Sequence, residues 1–318
     1  MVTAIFRLIR LPNLGMVFLT MYLMRWSIVR PILDLLGFEP QMGEFNFLLL
    51  VLSTVLITAA GNAINDYHDV SVDRVNQPDK VVIDKFIGRR AVIIAHFVLS
   101  SIGVLLGLFV SLYYHIFWMI PVILLVPVSL WFYSTVYKHR LLLGNILISI
   151  LTGMVPLMVV LFEYPLLIRA NNEILGQFPN LFRPVLYWVG LFSLFAFLTS
   201  LILEIIKDAA ELPGDREVGS RTLAVVFGRK VSNMLAGILS FITLGGLAAV
   251  FLLFLRDWMS LAYFAIFLVI PWILLIIRMF KAENPKEYMQ LAQLVKLIML
   301  AGLMYAPLAY LVMKMLLT

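Results

Sequence analysis

The stretch FNFLLLVLSTVLITAAGNAINDYHDVSVDR, Phe45–Arg74, decides the fold. Residues 45–65 are almost continuously apolar, and about 20 such residues in a helix cross a hydrocarbon core about 30 Å thick. A β-barrel strand would instead alternate apolar and polar residues over about ten positions. The same run then ends in Asp66, Asp69 and Asp73. An ionised side chain at the mouth of a membrane helix is expensive, so carboxylates placed there point to function rather than packing.

The rest of the chain follows the same pattern. Its 318 residues are 63% hydrophobic and only 13% charged, with a mean hydropathy of +1.01. Soluble domains carry about a quarter charged residues, so part of the solvent here is lipid. Apolar runs at 11–33, 45–65, 91–113, 116–136, 141–162, 185–206, 231–254, 258–280 and 295–315 predict an all-α integral membrane protein. Its architecture is a bundle of about nine transmembrane helices in one domain, 1–318. The first run is interrupted by Arg25 and Arg30 and is the one expected to end early. Met1–Pro12 has no cleavable signal pattern. Residues 163–184, with Pro165, Pro179 and Pro184, read as an external loop, and 281–296 as a basic amphipathic stretch on the membrane surface.

Charge placement gives the orientation. Of 24 Lys and Arg, 18 fall in the N-terminus and alternate connections, which predicts a cytoplasmic N-terminus and an external C-terminus. In a prokaryote the host bilayer would be the cytoplasmic membrane. The net charge of +6 is therefore a topology signal, and no nucleic-acid motif accompanies it. No obligate protein partner is indicated either. Cysteine is absent, which removes disulfide and thiolate chemistry. His68, His96, His115 and His139 are scattered without metal-ligand spacing and read as packing or tuning residues.

Ten of the 18 acidic residues fall in two short windows: Asp66, Asp69, Asp73, Asp79 and Asp84, then Glu204, Asp208, Glu211, Asp215 and Glu217. The windows share a register. Asn62, Asp66, Asp69, Asp73 and Arg74 each lie 142 residues before Glu204, Asp208, Glu211, Asp215 and Arg216. On a helix the triads Asp66, Asp69, Asp73 and Asp208, Glu211, Asp215 each fall within an arc of about 60°, and Asn65, Asp69 and Asp73 form an i, i+4, i+8 row beside the first. Pro213–Gly214 predicts an end to the second helix before Asp215. Carboxylates gathered in a low-dielectric setting repel one another. Hard divalent cations relieve that repulsion, and Mg²⁺ characteristically shares one or two carboxylates with a substrate's phosphates. Two such helices could hold two or more ions and clamp a diphosphate. A cation transporter built from two repeats also predicts paired acidic sites, but those lie near the midplane on broken helices. Here the windows lie at helix ends and run into what read as long hydrophilic loops, 66–90 and 208–230.

These residues resemble the UbiA superfamily of intramembrane prenyltransferases. Its Asn-x-x-x-Asp-x-x-x-Asp motif is matched by Asn65, Asp69 and Asp73, followed by Asn76, Pro78 and Lys80. Its second motif, Asp-x-x-x-Asp, is matched by Glu211 and Asp215, with Glu211 a departure that keeps the carboxylate on a longer arm. Lys207, Asp208, Gly214 and the segment GSRTL, Gly219–Leu223, fit its extended form; Arg10 beside Pro12, and Tyr133, Ser134, Lys138, Gly144 and Asn145, match more weakly. The resemblance implies Mg²⁺-dependent transfer of a polyprenyl group from an isoprenyl diphosphate donor to a lipophilic acceptor, with the active site facing the cytoplasm. It implies two Mg²⁺ ions, one held by Asn65, Asp69 and Asp73 and one by Glu211 and Asp215, with Asp66 and Asp208 as ligands or their neighbours. It places Arg10, Asn65, Lys80, Lys138 and Lys207 against the diphosphate, and makes Asp69, Asp73, Asp215 and Lys138 the catalytic set. The partners it implies are the donor, the acceptor and membrane lipids.

The form KDAAELPGD, Lys207–Asp215, resembles branches acting on geranylgeranylglyceryl phosphate or homogentisate. A glycerol-phosphate lipid acceptor is favoured, with an aromatic quinone precursor such as homogentisate or dihydroxynaphthoate as the alternative and a divalent-cation transporter as the rival of another class. Gly144, Gly153 and the row Ser232, Ala236, Ser240 read as close helix packing.

Overall fold

The computed structural model describes residues 2–79 and 81–315. Among the described residues, nine helices are long and apolar enough to cross a membrane. In chain order, with two short helices numbered alongside them, they are α1 (Val2–Leu8), α2 (Leu11–Leu36), α3 (Glu44–Asn76), α4 (Arg89–Tyr113), α5 (Met119–Tyr137), α6 (Leu143–Ala170), α7 (Asn172–Gln177), α8 (Arg183–Glu217), α9 (Leu223–Leu255), α10 (Trp258–Lys281) and α11 (Pro285–Met315). Their contacts divide into two compact units, residues 1–136 with 154–190, and residues 137–153 with 191–318.

In the first unit, α3 is the central helix. The sequence GVLLG, Gly103–Gly107, puts two glycines one turn apart on α4. A Cβ at Gly103 would lie 2.8 Å from Ile57 Cγ1, and one at Gly107 2.8 Å from Ser53 Oγ. Ser53 Oγ donates to the Gly103 carbonyl at 2.6 Å. Lipid tails are as apolar as Leu, so close approach of small residues, rather than hydrophobic contrast, holds such helices together.

The first apolar run does not stop at its arginines. It passes through a π-helical stretch, Met24–Val29, and continues to Leu36. Arg25 is buried, and its guanidinium donates to Glu44 at 2.9 Å, to Glu163 at 3.3 Å and to the Met42 carbonyl. Glu163 also accepts from the backbone N–H groups of Gln41 and Met42. A charge this deep persists only when paired and hydrogen-bonded on every side. The expected external loop at 163–184 is correspondingly shorter, since α6 carries Glu163 and runs to Ala170.

The two acidic windows also differ from expectation. They are not hydrophilic loops from their first residues, because α3 stays helical to Asn76 and α8 to Glu217. Both extensions keep an apolar side, with Val70 and Val72 buried in one and Ala209, Ala210 and Leu212 in the other. Pro213 does not end α8. A proline inside a helix removes the hydrogen bond to the carbonyl four residues earlier, and here Arg229 Nε donates to that carbonyl, Ala209 O, at 3.1 Å. The basic stretch 281–296 is likewise not a separate surface segment. From Pro285 it is the start of α11, with Tyr288, Leu291 and Val295 buried.

In the second unit, Ser193 Oγ of α8 donates to the Gly153 carbonyl of α6 at 2.6 Å, and a Cβ at Gly153 would lie 3.1 Å from Phe197. Ser232, Ala236 and Ser240 of α9 are buried, and Asn233 donates to the Met279 carbonyl of α10 at 2.8 Å. Close packing is thus seen at Gly153, while Ser232 and Ser240 donate within their own helix.

Candidate active site

The chemistry-bearing residues of the first unit gather at the C-terminal end of α3. Asn65 and Asp69, one turn apart, are both buried. Asn65 Nδ2 donates to Asp69 Oδ2 at 2.6 Å. This leaves Asn65 Oδ1 buried with no hydrogen-bond partner. A buried acceptor left unmade costs about 1–3 kcal/mol, so its retention beside a carboxylate suits an oxygen ligand awaiting a cation. Asp73, one turn further, and Asp66, next to Asn65, line a small pocket with Val70, Val81, Val82 and Ile83.

Arg10 meets this cluster from the junction of α1 and α2. Its Nη2 donates to Asp66 Oδ1 at 2.5 Å. The backbone at Arg10 is left-handed, φ 52°, and Asn62 Nδ2 holds the adjacent Ile9 carbonyl at 2.9 Å. A non-glycine residue in this conformation is strained by about 1–2 kcal/mol, and such strain collects at functional positions. Partial desolvation works against the charge of the still exposed Arg10, but the Asp66 and Asp69 carboxylates outweigh it and raise its pKa above the ordinary arginine value.

Residues 81–84 cover the same end of α3. Val81, Val82 and Ile83 pack against Ala4 and Leu8 of α1 and Ala63, Val70 and Val92. Asp84, itself left-handed at φ 67°, accepts from Arg89 at 3.1 Å and Arg74 at 2.9 Å. Those two partners, Arg89 first, hold its carboxyl below the usual carboxylate range. Lys80 lies outside the described residues.

In the second unit the acidic end of α8 carries Asp208, Glu211 and Asp215. Asp208 Oδ2 accepts from Asn145 Nδ2 at 2.8 Å. Asp215 is buried; its carboxylate accepts from Thr222 Oγ1 at 3.2 Å and its carbonyl from the Ser220 N–H at 2.9 Å. Lys207, expected against a diphosphate, donates to Glu204 at 2.6 Å. Lys138 stands in the turn between α5 and α6, and the next residue, His139, is bonded to Ser220 and Arg221. Sequence reasoning assigned no role to these bonds of Asn145, His139, Ser220 and Thr222. The adjacent pairs Lys138–His139 and Gly144–Asn145 were the available signal.

Among the described residues, no three His, Asp or Glu side chains converge closely enough to cage a metal alone. The oxygen-only donor set of Asn65, Asp69 and Asp73 nonetheless fits Mg²⁺. That ion keeps an octahedral shell of about 2.0–2.1 Å bonds and takes only one or two carboxylates, the remainder coming from water and substrate phosphates.

The model of the UbiA prenyltransferase family matches residues 35–312. The chain belongs to the UbiA prenyltransferase family. It is 30% identical over 200 residues to a digeranylgeranylglyceryl phosphate synthase of Methanosphaera stadtmanae, covering 63% of this chain and 64% of that one. The aligned part thus spans a little under two thirds of this curated relative. Two solved structures share the fold. One, from a study of digeranylgeranylglyceryl phosphate synthase in membranes, has TM-score 0.62 at 22% identity, covering 97% of this chain and 98% of its own. The other, a UbiA homologue from Archaeoglobus fulgidus bound to GPP and Mg²⁺, has TM-score 0.55 at 15% identity, covering 96% and 99%. Nine helices among the described residues are long and apolar enough to cross a membrane, which makes this UbiA family member an integral membrane protein.

Proposed function

We propose that this prenyltransferase moves a polyprenyl group from an isoprenyl diphosphate to the hydroxyl of a glycerol-phosphate lipid. The single observation that carries the diphosphate chemistry is the buried Asn65–Asp69 pair with its unpartnered oxygen, Asn65 Oδ1. The acceptor rests on the curated relatives named digeranylgeranylglyceryl phosphate synthase. An aromatic quinone precursor is the alternative acceptor.

In this reading Asn65, Asp69 and Asp73 hold one Mg²⁺, and Glu211 and Asp215 the other, with Asp208 beside them. When bound, Mg²⁺ neutralises charge that develops on the leaving diphosphate. Arg10 leaves Asp66 and turns to a diphosphate oxygen, while Asp66 becomes available to the metal or to a water on it. Lys138 supplies a second positive charge to the diphosphate, and Lys80 a third. Lys207, which pairs with Glu204, turns to the diphosphate as Arg10 does. The C1–oxygen bond of the donor breaks, the diphosphate keeps the electron pair, and an acceptor oxygen attacks C1 and gives up its proton to the departing diphosphate or to water. Donors fixed in place before reaction stabilise such developing charge without reorganising. The whole chain acts as one prenyltransferase domain, with the acidic helix ends on the cytoplasmic side of the membrane.

Purified protein in nanodiscs with radiolabelled geranylgeranyl diphosphate tests the reading. A labelled product is expected with geranylgeranylglyceryl phosphate, to be abolished by EDTA and by Asp69→Asn or Asp215→Asn, both of which remain folded. Product from homogentisate or 1,4-dihydroxy-2-naphthoate alone would replace the acceptor. Full activity in either variant would overturn the assignment.

A further inference from the structure

The turn that joins α5 to α6, together with the first residues of α6, is fastened at three points, one to Asp208 on α8 and two to the segment that follows α8. His139 Nδ1 and Ser220 Oγ are 2.8 Å apart. The His139 carbonyl accepts from the Arg221 N–H at 2.9 Å. Asn145 Nδ2 donates to Asp208 Oδ2 at 2.8 Å. The receiving segment is itself tied to the second acidic motif, because the Ser220 N–H donates to the Asp215 carbonyl and Thr222 Oγ1 to the Asp215 carboxylate. Within the turn, Gly144 presses on Lys138 so closely that a Cβ would sit 2.8 Å from Lys138 Cα. All of these residues belong to the second unit.

From this geometry we infer that His139 and Asn145 are positioning residues for prenyl transfer, acting through Lys138 and Asp208. His139, through its side chain and its carbonyl, fixes where the neighbouring Lys138 stands relative to Asp215. Asn145 orients the Asp208 carboxylate by occupying one of its oxygens, which leaves the other for a metal or a metal-bound water. The turn is short, so the two effects are coupled. A cation for the diphosphate and a carboxylate for the metal are set by one strap, and neither needs to find its place when the substrate arrives. Pre-set geometry of this kind removes an ordering cost from the bound state, and hydrogen-bond partners of metal-ligating groups commonly change metal affinity or activity by about 10- to 100-fold when lost.

The inference rests on the proposed roles of Lys138, Asp208 and Asp215, and the test separates the two. Binding of geranyl S-thiolodiphosphate, an unreactive donor analogue, is measured by calorimetry in detergent at a series of Mg²⁺ concentrations, alongside donor KM and kcat. His139→Ala is expected to weaken analogue binding about tenfold and to raise donor KM more than it lowers kcat. His139→Asn, whose amide stands where Nδ1 stood, is expected to recover binding to within about twofold. Asn145→Asp, the same shape without the donor, is expected to raise the Mg²⁺ needed for half-maximal analogue binding by about 10- to 100-fold. Ser220→Ala removes the His139 bond from the opposite partner and carries the same expectation, should His139→Ala fail to fold. Wild-type binding in His139→Ala and Asn145→Asp, with binding lost in Asp215→Asn, would overturn the strap alone. Wild-type binding in Asp215→Asn would overturn the proposed site itself.

Discussion

Replacing Gly144 with alanine probes the tightest contact at the candidate site. A Cβ there would lie 2.8 Å from Lys138 Cα, 2.8 Å from Tyr137 O and 3.0 Å from Lys138 N. These are main-chain atoms of the turn, so no side-chain rotation relieves the overlap. Ordinary carbon contacts begin at about 3.5 Å, and the turn must therefore retreat by about 0.7 Å. Overpacking of this kind costs about 1–3 kcal/mol. The retreat carries Lys138 with it, and a displacement of about 1 Å at a reacting centre can lower the rate by about 10²-fold. Gly144→Ala is thus expected to lower kcat/KM for the prenyl donor by about 10- to 100-fold in a labelled-donor assay in nanodiscs, in protein that remains folded and inserted. Gly190→Ala is the control, since nothing lies within 4 Å of a Cβ at Gly190; its kcat/KM should match the wild type. A Gly144→Ala enzyme within twofold of wild type would refute the reasoning, because the turn would then have slack and the placement of Lys138 would not depend on it.

Two further outcomes follow from charges away from the reacting groups. Arg25→Gln leaves Glu163 buried beside a neutral partner and should lower stability by about 3–5 kcal/mol, measured by denaturation in micelles. Much of that loss should return in the apolar pair Arg25→Met with Glu163→Leu, and an Arg25→Gln protein as stable as wild type would refute the buried-pair reading. Asp84 tests pH dependence: its carboxyl is held below its ordinary 3.8 by Arg89 and Arg74. A lowered folded value means the clamp is complete above about pH 4 and is released as pH falls through that lowered value. Hydrogen exchange in residues 77–88 should accordingly be flat from pH 8 to pH 5 after correction for intrinsic rates and rise only below pH 4, whereas loosening near pH 6 would show that another group governs the loop.

The sequence alone determined the solvent, the number of apolar spans and the chemistry at their ends. Each of these is a local property. Continuous apolar runs such as 45–65 can satisfy their backbone in lipid only as helices, and the i, i+4 spacing of Asn65, Asp69 and Asp73 places them on one face wherever the helix goes. The Asn65–Asp69 hydrogen bond, one turn apart, was legible for that reason. What the tertiary structure decided were the partners. Arg25 looked like an interruption of the first span, because Glu163, which neutralises it, is 138 residues away. Pro213 looked like a helix end, because the donor that takes over the Ala209 carbonyl, Arg229, belongs to the next helix. Asn145 sits 63 residues before the Asp208 it orients, and His139 sits 81 before Ser220. A buried charge or a freed carbonyl must find a partner somewhere. Local sequence states that need, and only the packing of distant helices answers it.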